Sequence, residues 1–170
     1  MDQSVRRLNQ LSADLAEAEF LKCCGSTRWA KQMSEARPFA SVKEVSSKAD
    51  EIWSALSGED WLEAFRAHPQ IGGRKAEATQ SHQAATWSAQ EQSQVQQAAD
   101  EVKAAIATGN RAYEHKFGFI FIICASGKSA DQILASLYGR LPNDPETEIR
   151  IAAEEQRKIT QLRLNKLLTT

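Results

Sequence analysis

The sequence is poor in residues that interrupt or cross-link a chain. Its 170 residues include 8 Gly, 4 Pro and 3 Cys. An odd number of cysteines, with Cys23 and Cys24 adjacent and Cys124 far away, is a weak basis for a disulfide framework and predicts reduced, structural thiols. The cysteines also lack the CxxC spacing of a zinc site. Few chain breakers among many helix formers favour a helical fold.

A charge excess and a long apolar run are also missing. The chain has 21 Lys+Arg and 22 Asp+Glu, a formal net charge of −1, whereas nucleic acids and anionic membranes attract a basic excess. No apolar run approaches the roughly 18 residues of a membrane span, and MDQSVRRLNQ lacks the apolar core of a signal peptide. We therefore expect a cytoplasmic protein with no nucleic-acid or membrane partner.

Apolar periodicity predicts an all-α fold, a single compact domain over residues 1–170 with about seven to eight helices. S-x-x-E capping boxes at Ser41/Glu44 and Ser88/Glu91 mark two helix starts. Asp144 followed by Pro145 marks the start of the last helix. The first predicted helix ends near residue 22. The others cover residues 28–35, 41–57, 59–68, 88–109, 129–140 and 144–168.

Two segments do not fit this helical pattern. Residues 69–87 have no periodicity and contain adjacent glycines, which predicts a long loop of the kind that often carries function. Residues 117–125, FGFIFIICA, form the one continuous apolar run. Because the sequence offers no second strand to pair with it, we expect a buried helix or extended backbone there.

Polar residues interrupt apolar helix faces at positions that are candidates for function. His68 continues the face of Trp61 and Phe65 at a helix C-terminus, where the helix dipole favours an imidazolium. It is either a proton donor or a capping histidine. Glu91 is either the last member of its capping box or a partly buried carboxylate that binds substrate or orients a base. Arg163 lies on a buried stripe and needs a carboxylate, from the protein or from a substrate.

Other chemical motifs are weak. His68, His82 and His115 lack metal-ligand spacing, so no metal site is predicted. The IGGRK segment lacks the remainder of a phosphate-binding loop, and no GxSxG elbow occurs. Cys124 lies in an apolar run, which disfavours a nucleophilic thiolate.

An ordered set of motifs nevertheless resembles one enzyme family. HPQIGG at 68–73, SAQEQ at 88–92 and FGFIFIICA at 117–125 closely resemble the 2-oxo-4-hydroxy-4-carboxy-5-ureidoimidazoline (OHCU) decarboxylases of urate degradation. Further matching segments lie at residues 11–12, 29, 37–39 and 158–164, so the resemblance spans nearly the whole chain.

This resemblance implies an all-helical, homodimeric carboxy-lyase that converts OHCU to (S)-allantoin and carbon dioxide without a cofactor. His68 would be the catalytic acid/base, Glu91 with Gln92 would contact the ring or ureido group, and Arg163 would be the electrostatic partner. The other substrate-binding positions that it implies are Pro69, Ser88, Ile123, Cys124, Ala125, Ser126 and Gly127.

The chain departs from the family pattern in a few places. Gln70 stands where the family often has Asp, which could alter the anchoring of its loop, and residues 79–87 differ from the usual segment. The peroxisomal ending SKL is absent, which favours a cytoplasmic, bacterial member. The alternative to an enzyme is a non-catalytic helical module that binds a small ureido ligand or a partner helix. The motifs argue against a third reading, a hydrolase of the preceding hydroxyisourate.

Overall fold

The computed structural model describes residues 2–73, 76 and 80–170, and all regular secondary structure in these ranges is α-helical. The all-α prediction is therefore confirmed, although ten helices exceed the predicted seven to eight. The helices are α1 (Gln3–Gln10), α2 (Ala13–Cys23), α3 (Thr27–Glu35), α4 (Val42–Ala55), α5 (Gly58–Arg66), α6 (His82–Glu91), α7 (Ser93–Gln96), α8 (Asp100–Phe117), α9 (Ala130–Arg140) and α10 (Pro145–Thr169).

The chain divides into two compact units, and each is described by itself. The first unit contains the residues up to Ala64 together with Arg157–Thr170, and the second contains Phe65–Gln156. Helices α5 and α10 contribute residues to both units. The assignment of residues 1–170 to a single domain remains a prediction. Within the described ranges, no helix is both long enough and apolar enough to cross a membrane.

In the first unit, the predicted helix that ends near residue 22 is two helices in the structure, α1 and α2. The Ser12 hydroxyl accepts a hydrogen bond from the Leu15 amide at 3.4 Å and caps the start of α2. Arg37 Nη1 donates to the carbonyl oxygens of Leu8 and Leu11, at 2.9 and 2.7 Å. A helix end is stable where its orphan carbonyls find such donors. The prediction was wrong here because the decisive donor lies 26 or more residues away along the chain.

Aromatic side chains form the core of the first unit. The Phe20 and Trp29 rings meet edge to face with centroids 5.9 Å apart, and Phe39 lies against Phe20 at 6.5 Å. Trp29 Nε1 donates to the Ala49 carbonyl at 3.1 Å, which ties α3 to α4 and satisfies the one polar atom of a fully buried indole. Trp29 and Phe39, which contribute to the family resemblance, are therefore structural residues.

The free thiols of the first unit are buried, as predicted. Burial raises the pKa of the Cys23 thiol above its ordinary value, and the positive charge of Arg163 opposes the rise only in part. Burial also raises the pKa of Cys24 from 9.0 to about 12. Both side chains thus remain neutral thiols at neutral pH.

We expect stability to fall at alkaline pH partly because of Cys24. Above pH 9.0 the thiol ionises in the unfolded chain, whereas the native thiol stays protonated up to about pH 12. The unfolded state then binds fewer protons, so the free energy of unfolding decreases by about 1.4 kcal/mol per pH unit for this group. Urea unfolding between pH 9.0 and about 12 should show that the free energy of unfolding falls less steeply with pH in Cys24→Ala than in the parent protein.

The control is Val45→Ala, a buried truncation that adds or removes no titrating group. It should lower the free energy of unfolding equally at every pH. A Cys24→Ala variant with the same pH slope as the parent protein would contradict the prediction.

In the second unit, the predicted loop 69–87 is shorter than expected. Helix α6 begins at His82, where the Ser81 hydroxyl accepts from the Ala84 amide at 3.1 Å. Thr79, the first residue of the atypical segment 79–87, lies outside the described residues. The prediction failed because polar helix α6 presents little apolar periodicity, and its cap is the clearest local signal.

Helix α8 passes through Gly109 and Asn110, where the sequence predicted an end or interruption. A Cβ added at Gly109 would lie 2.6 Å from Leu137 Cδ2, so the glycine allows α8 and α9 to pack closely. Asn110 Nδ2 donates to the Ile71 carbonyl at 2.7 Å. The helix ends instead at Phe117, and the following Gly118 has a φ of +78°, the left-handed conformation typical of a helix C-terminus.

Residues 119–125 are buried and form no helix, which excludes the buried helix that the sequence left open. Arg140 holds this segment: its Nη1 donates to the Ile122 carbonyl at 2.7 Å, and its guanidinium lies 4.5 Å from the centroid of Phe121. The carboxylate of Glu148, fully buried, accepts from Arg140 Nε and from the Tyr113 hydroxyl, each at 2.6 Å. Burial and the bond to Glu148 raise the pKa of Tyr113.

Local signals correctly predicted the starts of the last two helices. Helix α9 begins with a complete capping box formed by Ser129 and Gln132. Helix α10 begins at Pro145, as predicted, with the Asp144 carboxylate accepting from the Thr147 amide at 2.9 Å. Each of these signals involves side chains within one helical turn of the end that they cap.

Candidate active site

His68 lies just beyond α5 in a turn that its own amide closes by donating to the Phe65 carbonyl at 3.1 Å. The side chain is 8% exposed, in agreement with its predicted place on an apolar face. Its Nε2 lies 2.6 Å from the side-chain oxygen of Gln156 on α10. His68 is therefore a buried imidazole with a fixed polar partner, an arrangement suited to moving a proton in a defined direction.

Gln156 is the functional candidate that the sequence reasoning missed. It is completely buried and lies on the face of α10 that also carries buried Ala152 and Ala153. The signal that drew attention to Arg163, a polar residue on an apolar stripe, applies equally to Gln156 seven residues earlier.

The end of α6 carries Ser88 and Glu91, and here a prediction is corrected. Both residues lie in the last helical turn, and Ser88 accepts a bond from the Gln92 amide through its backbone carbonyl at 3.2 Å. The helix start that they were expected to cap does not exist. The capping explanation for the identity of Glu91, which is half-buried at this helix end, is therefore wrong.

A cavity of about 820 Å³ opens beside this helix end. Three sequence-predicted positions, Pro69, Ser88 and Gln92, contribute to its wall, and Lys103 of α8 adds a cationic group. The other predicted positions are not among the described residues that line it. A cavity of this size, with a few polar groups, is typical of a small-molecule site.

Side-chain amides shape the loop at the cavity wall. Gln92 Oε1 accepts from the Gly72 amide at 3.1 Å, where Gly72 adopts a φ of +66°. Gln70 Nε2 lies 3.4 Å from Glu114 Oε2. Gln70, which stands where the family often has Asp, thus links this loop to α8.

The segment from Ile123 to Gly127 begins within the buried, non-helical stretch 119–125 and extends two residues beyond it. Ile123, Cys124 and Ala125 are buried, whereas Ser126 and Gly127 are exposed in a turn where Gly127 has a φ of +76°. Lys128 Nζ donates to the Cys124 carbonyl at 2.7 Å, and Glu155 Oε1 lies 3.4 Å from the Cys124 amide.

The electrostatics around Cys124 link Glu91 to this segment. Burial raises the pKa of the Cys124 thiol; the Lys128 cation opposes that rise, while the carboxylates of Glu155 and Glu91 add to it. The Glu91 carboxylate therefore makes a small electrostatic contribution at the Cys124 thiol. The prediction that Cys124 is not a thiolate nucleophile agrees with these charges.

Arg163 belongs to the first unit, where it is 3% exposed on α10. Its Nη1 donates to the Lys22 carbonyl at 3.4 Å. The predicted burial is confirmed, whereas the predicted partnership with a carboxylate stays a prediction. Among the residues that the structure describes, no group of three or more His, Cys, Asp or Glu side chains could hold a metal ion.

A family model described as OHCU decarboxylase matches residues 9–165. The chain belongs to the OHCU decarboxylase family. Family membership confirms the resemblance that the motifs at 68–73, 88–92 and 117–125 predicted.

Curated relatives match most of the length of this chain. It is 38% identical over 159 residues to the uric acid degradation bifunctional protein TTL of Arabidopsis thaliana, a match that covers 94% of this chain and 49% of that protein. The chain thus spans about half the length of that bifunctional relative. It is 29% identical to the OHCU decarboxylase of Haloferax volcanii, covering 95% of this chain and 94% of that protein.

A solved structure of the same family shares the fold. The crystal structure of an OHCU decarboxylase in the presence of (S)-allantoin matches with a TM-score of 0.78 and 41% sequence identity. The match covers 90% of this chain and 99% of that one.

Proposed function

We propose that this chain is a carboxy-lyase that converts OHCU to (S)-allantoin and carbon dioxide. The observation that carries the proposal is the buried imidazole of His68, held by Gln156 and followed directly by the cavity-wall residue Pro69. Family membership and the presence of (S)-allantoin with a relative in a crystal support the choice of substrate and product.

The reaction is compatible with protein side chains alone. The bond between the ring carbon and its carboxylate breaks, carbon dioxide leaves, and the electron pair moves toward the adjacent C=N bond of the substrate. Because the substrate carries this electron sink, no cofactor or metal is required. The protein needs to hold the carboxylate, stabilise the developing charge and deliver one proton to one face of the ring.

The roles that we assign to the residues follow from the family resemblance. We assign proton transfer to His68, contact with the ring or ureido group to Glu91 and Gln92, and charge stabilisation to Arg163. Substrate binding is assigned to Pro69, Ser88, Ile123, Cys124, Ala125, Ser126 and Gly127. Support for Glu91 comes from the loss of its capping explanation and from its effect on Cys124.

The decisive experiment is stereochemical. OHCU is generated from urate, and circular dichroism follows the formation of allantoin with and without protein. Spontaneous decay gives a racemate, so we expect one enantiomer to appear faster than that decay. A racemic product at stoichiometric protein would refute the decarboxylase and favour a binding module. Consumption of hydroxyisourate before OHCU would instead indicate a hydrolase.

A homodimer in the cytoplasm completes the proposal. Its support is family resemblance, since Trp29, Trp53 and Trp87 are buried within the chain and leave little tryptophan surface for a partner. Light scattering across a dilution series with parallel turnover measurements is the test. Full turnover of a monomer would show that assembly is not needed for activity. The net charge of −1 gives no support for a nucleic-acid or membrane partner.

A further inference from the structure

The amide of Gln156 is placed where an apolar side chain would be expected. It is completely buried on α10, on a face shared with buried alanines. Burying an amide is unfavourable unless it is hydrogen-bonded. Its side-chain oxygen lies 2.6 Å from His68 Nε2, a short contact between two side chains 88 residues apart along the chain.

We infer that Gln156 is a positioning residue for His68. An amide oxygen can only accept, so at this contact His68 Nε2 is the donor and carries a proton. The bond fixes both the tautomer and the orientation of the imidazole ring. The inference rests on the proposed decarboxylation, in which His68 must present its proton to one face of the substrate.

The amide suits this role better than a carboxylate would. A carboxylate beside the ring stabilises the imidazolium and holds the proton on it, whereas a neutral carbonyl orients the ring without adding charge. An imidazole that both takes and gives a proton near neutral pH needs an uncharged partner of this kind.

The neighbouring residue on α10 extends the argument. Glu155 Oε1 lies 3.4 Å from the Cys124 amide, so consecutive residues hold the catalytic imidazole and the segment from Ile123 to Gly127. This stretch of α10 therefore sets the register between the proton-transfer group and the proposed substrate-binding backbone within the second unit. A small displacement in such a constellation can cost about 10²-fold in rate.

The test compares Gln156→Leu with Gln156→Glu. Gln156→Leu removes the acceptor, so we expect kcat to fall by about 10²-fold while KM changes by less than about threefold, because binding groups remain. Gln156→Glu restores an acceptor but stabilises the imidazolium, so turnover should recover only at a higher pH than the optimum of the parent protein. An unchanged kcat in Gln156→Leu, or an unchanged profile in Gln156→Glu, would overturn the inference.

Gln161→Leu is the matched control. Gln161 lies on the same helix, and its amide bonds to the Ser46 carbonyl at 3.0 Å and to Asp50 at 2.6 Å in the first unit. Its removal should cost stability without altering kcat or the pH–rate profile. An equal loss of kcat in Gln161→Leu would show a general packing effect and overturn the positioning role.

A spectroscopic measurement separates this inference from the proposed function. The chain has 3 histidines, so ¹⁵N-histidine NMR with His68→Asn identifies the His68 signals. We expect a protonated Nε2 in the parent protein and a mixture of tautomers in Gln156→Leu. This holds whether or not OHCU is the substrate, and an unprotonated Nε2 in the parent at neutral pH would overturn the inference.

Discussion

Replacing His68 by Asn should lower turnover by about 10²–10⁴-fold, the usual contribution of general acid–base catalysis. Asn carries polar atoms but cannot exchange a proton at neutral pH. Its cost in stability should be about 1–3 kcal/mol, because the replacement removes the bond from His68 Nε2 to the buried amide of Gln156. Turnover by circular dichroism and thermal unfolding are measured on the same protein.

The control for this variant is His115→Asn. His115 is an exposed residue in the last turn of α8, so its replacement should leave turnover unchanged. If His68→Asn kept full turnover, the assignment of proton transfer to His68 would be wrong, whatever happened to the melting temperature.

Glu91→Gln should reduce turnover less than His68→Asn does. A carboxamide keeps some of the hydrogen bonds that would position the ring or ureido group. The structure sharpens the comparison, because Glu91 does not cap a helix start and a capping role can no longer explain its identity. A Glu91→Gln variant with unchanged kcat and KM would therefore leave no role for Glu91 in substrate binding.

Replacing Arg140 by Leu should have the largest effect on stability, a loss of about 3–5 kcal/mol. The change leaves the Glu148 carboxylate, which is fully buried, without its cationic partner. It also removes the donor to the Ile122 carbonyl. Since domains are typically stable by only about 5–15 kcal/mol, urea unfolding should show a large shift of the midpoint.

Arg150→Leu is the control for that variant. Arg150 and Glu146 also form an ion pair on α10, but their side chains are 71% and 83% exposed. Such a pair contributes about 0–1 kcal/mol, so its loss should be nearly silent. Equal destabilisation by the two arginine replacements would show that burial of Glu148 does not govern the effect. The double variant Arg140→Leu/Glu148→Leu should recover part of the stability lost in Arg140→Leu, because the uncompensated carboxylate is gone.

Family membership is the broadest result that the sequence provided. The ordered motifs carried that information, because the segments with His68 and Glu91 and the apolar run at 117–125 occur in the order typical of the family. The family model matches residues 9–165. The burial of His68 and Arg163 followed from helical spacing alone. Both lie where a 3.6-residue repeat expects apolar side chains.

The sequence by itself also determined the all-α class and the starts of α9 and α10. Those starts depend on side chains within one turn of the helix end, such as Ser129 with Gln132 and Asp144 with Thr147. A signal of this kind is complete in a short stretch of sequence, so no distant contact is needed to interpret it.

Tertiary structure decided the features whose partners are distant along the chain. Arg37 separates α1 from α2, and Leu137 packs against Gly109 so that α8 continues past it. The site also depends on a distant contact, because 88 residues separate His68 from its hydrogen-bond partner Gln156 along the chain. Periodicity shows which face of a helix is buried, but it carries no information about what that face meets, because contact partners are fixed only when the helices pack together.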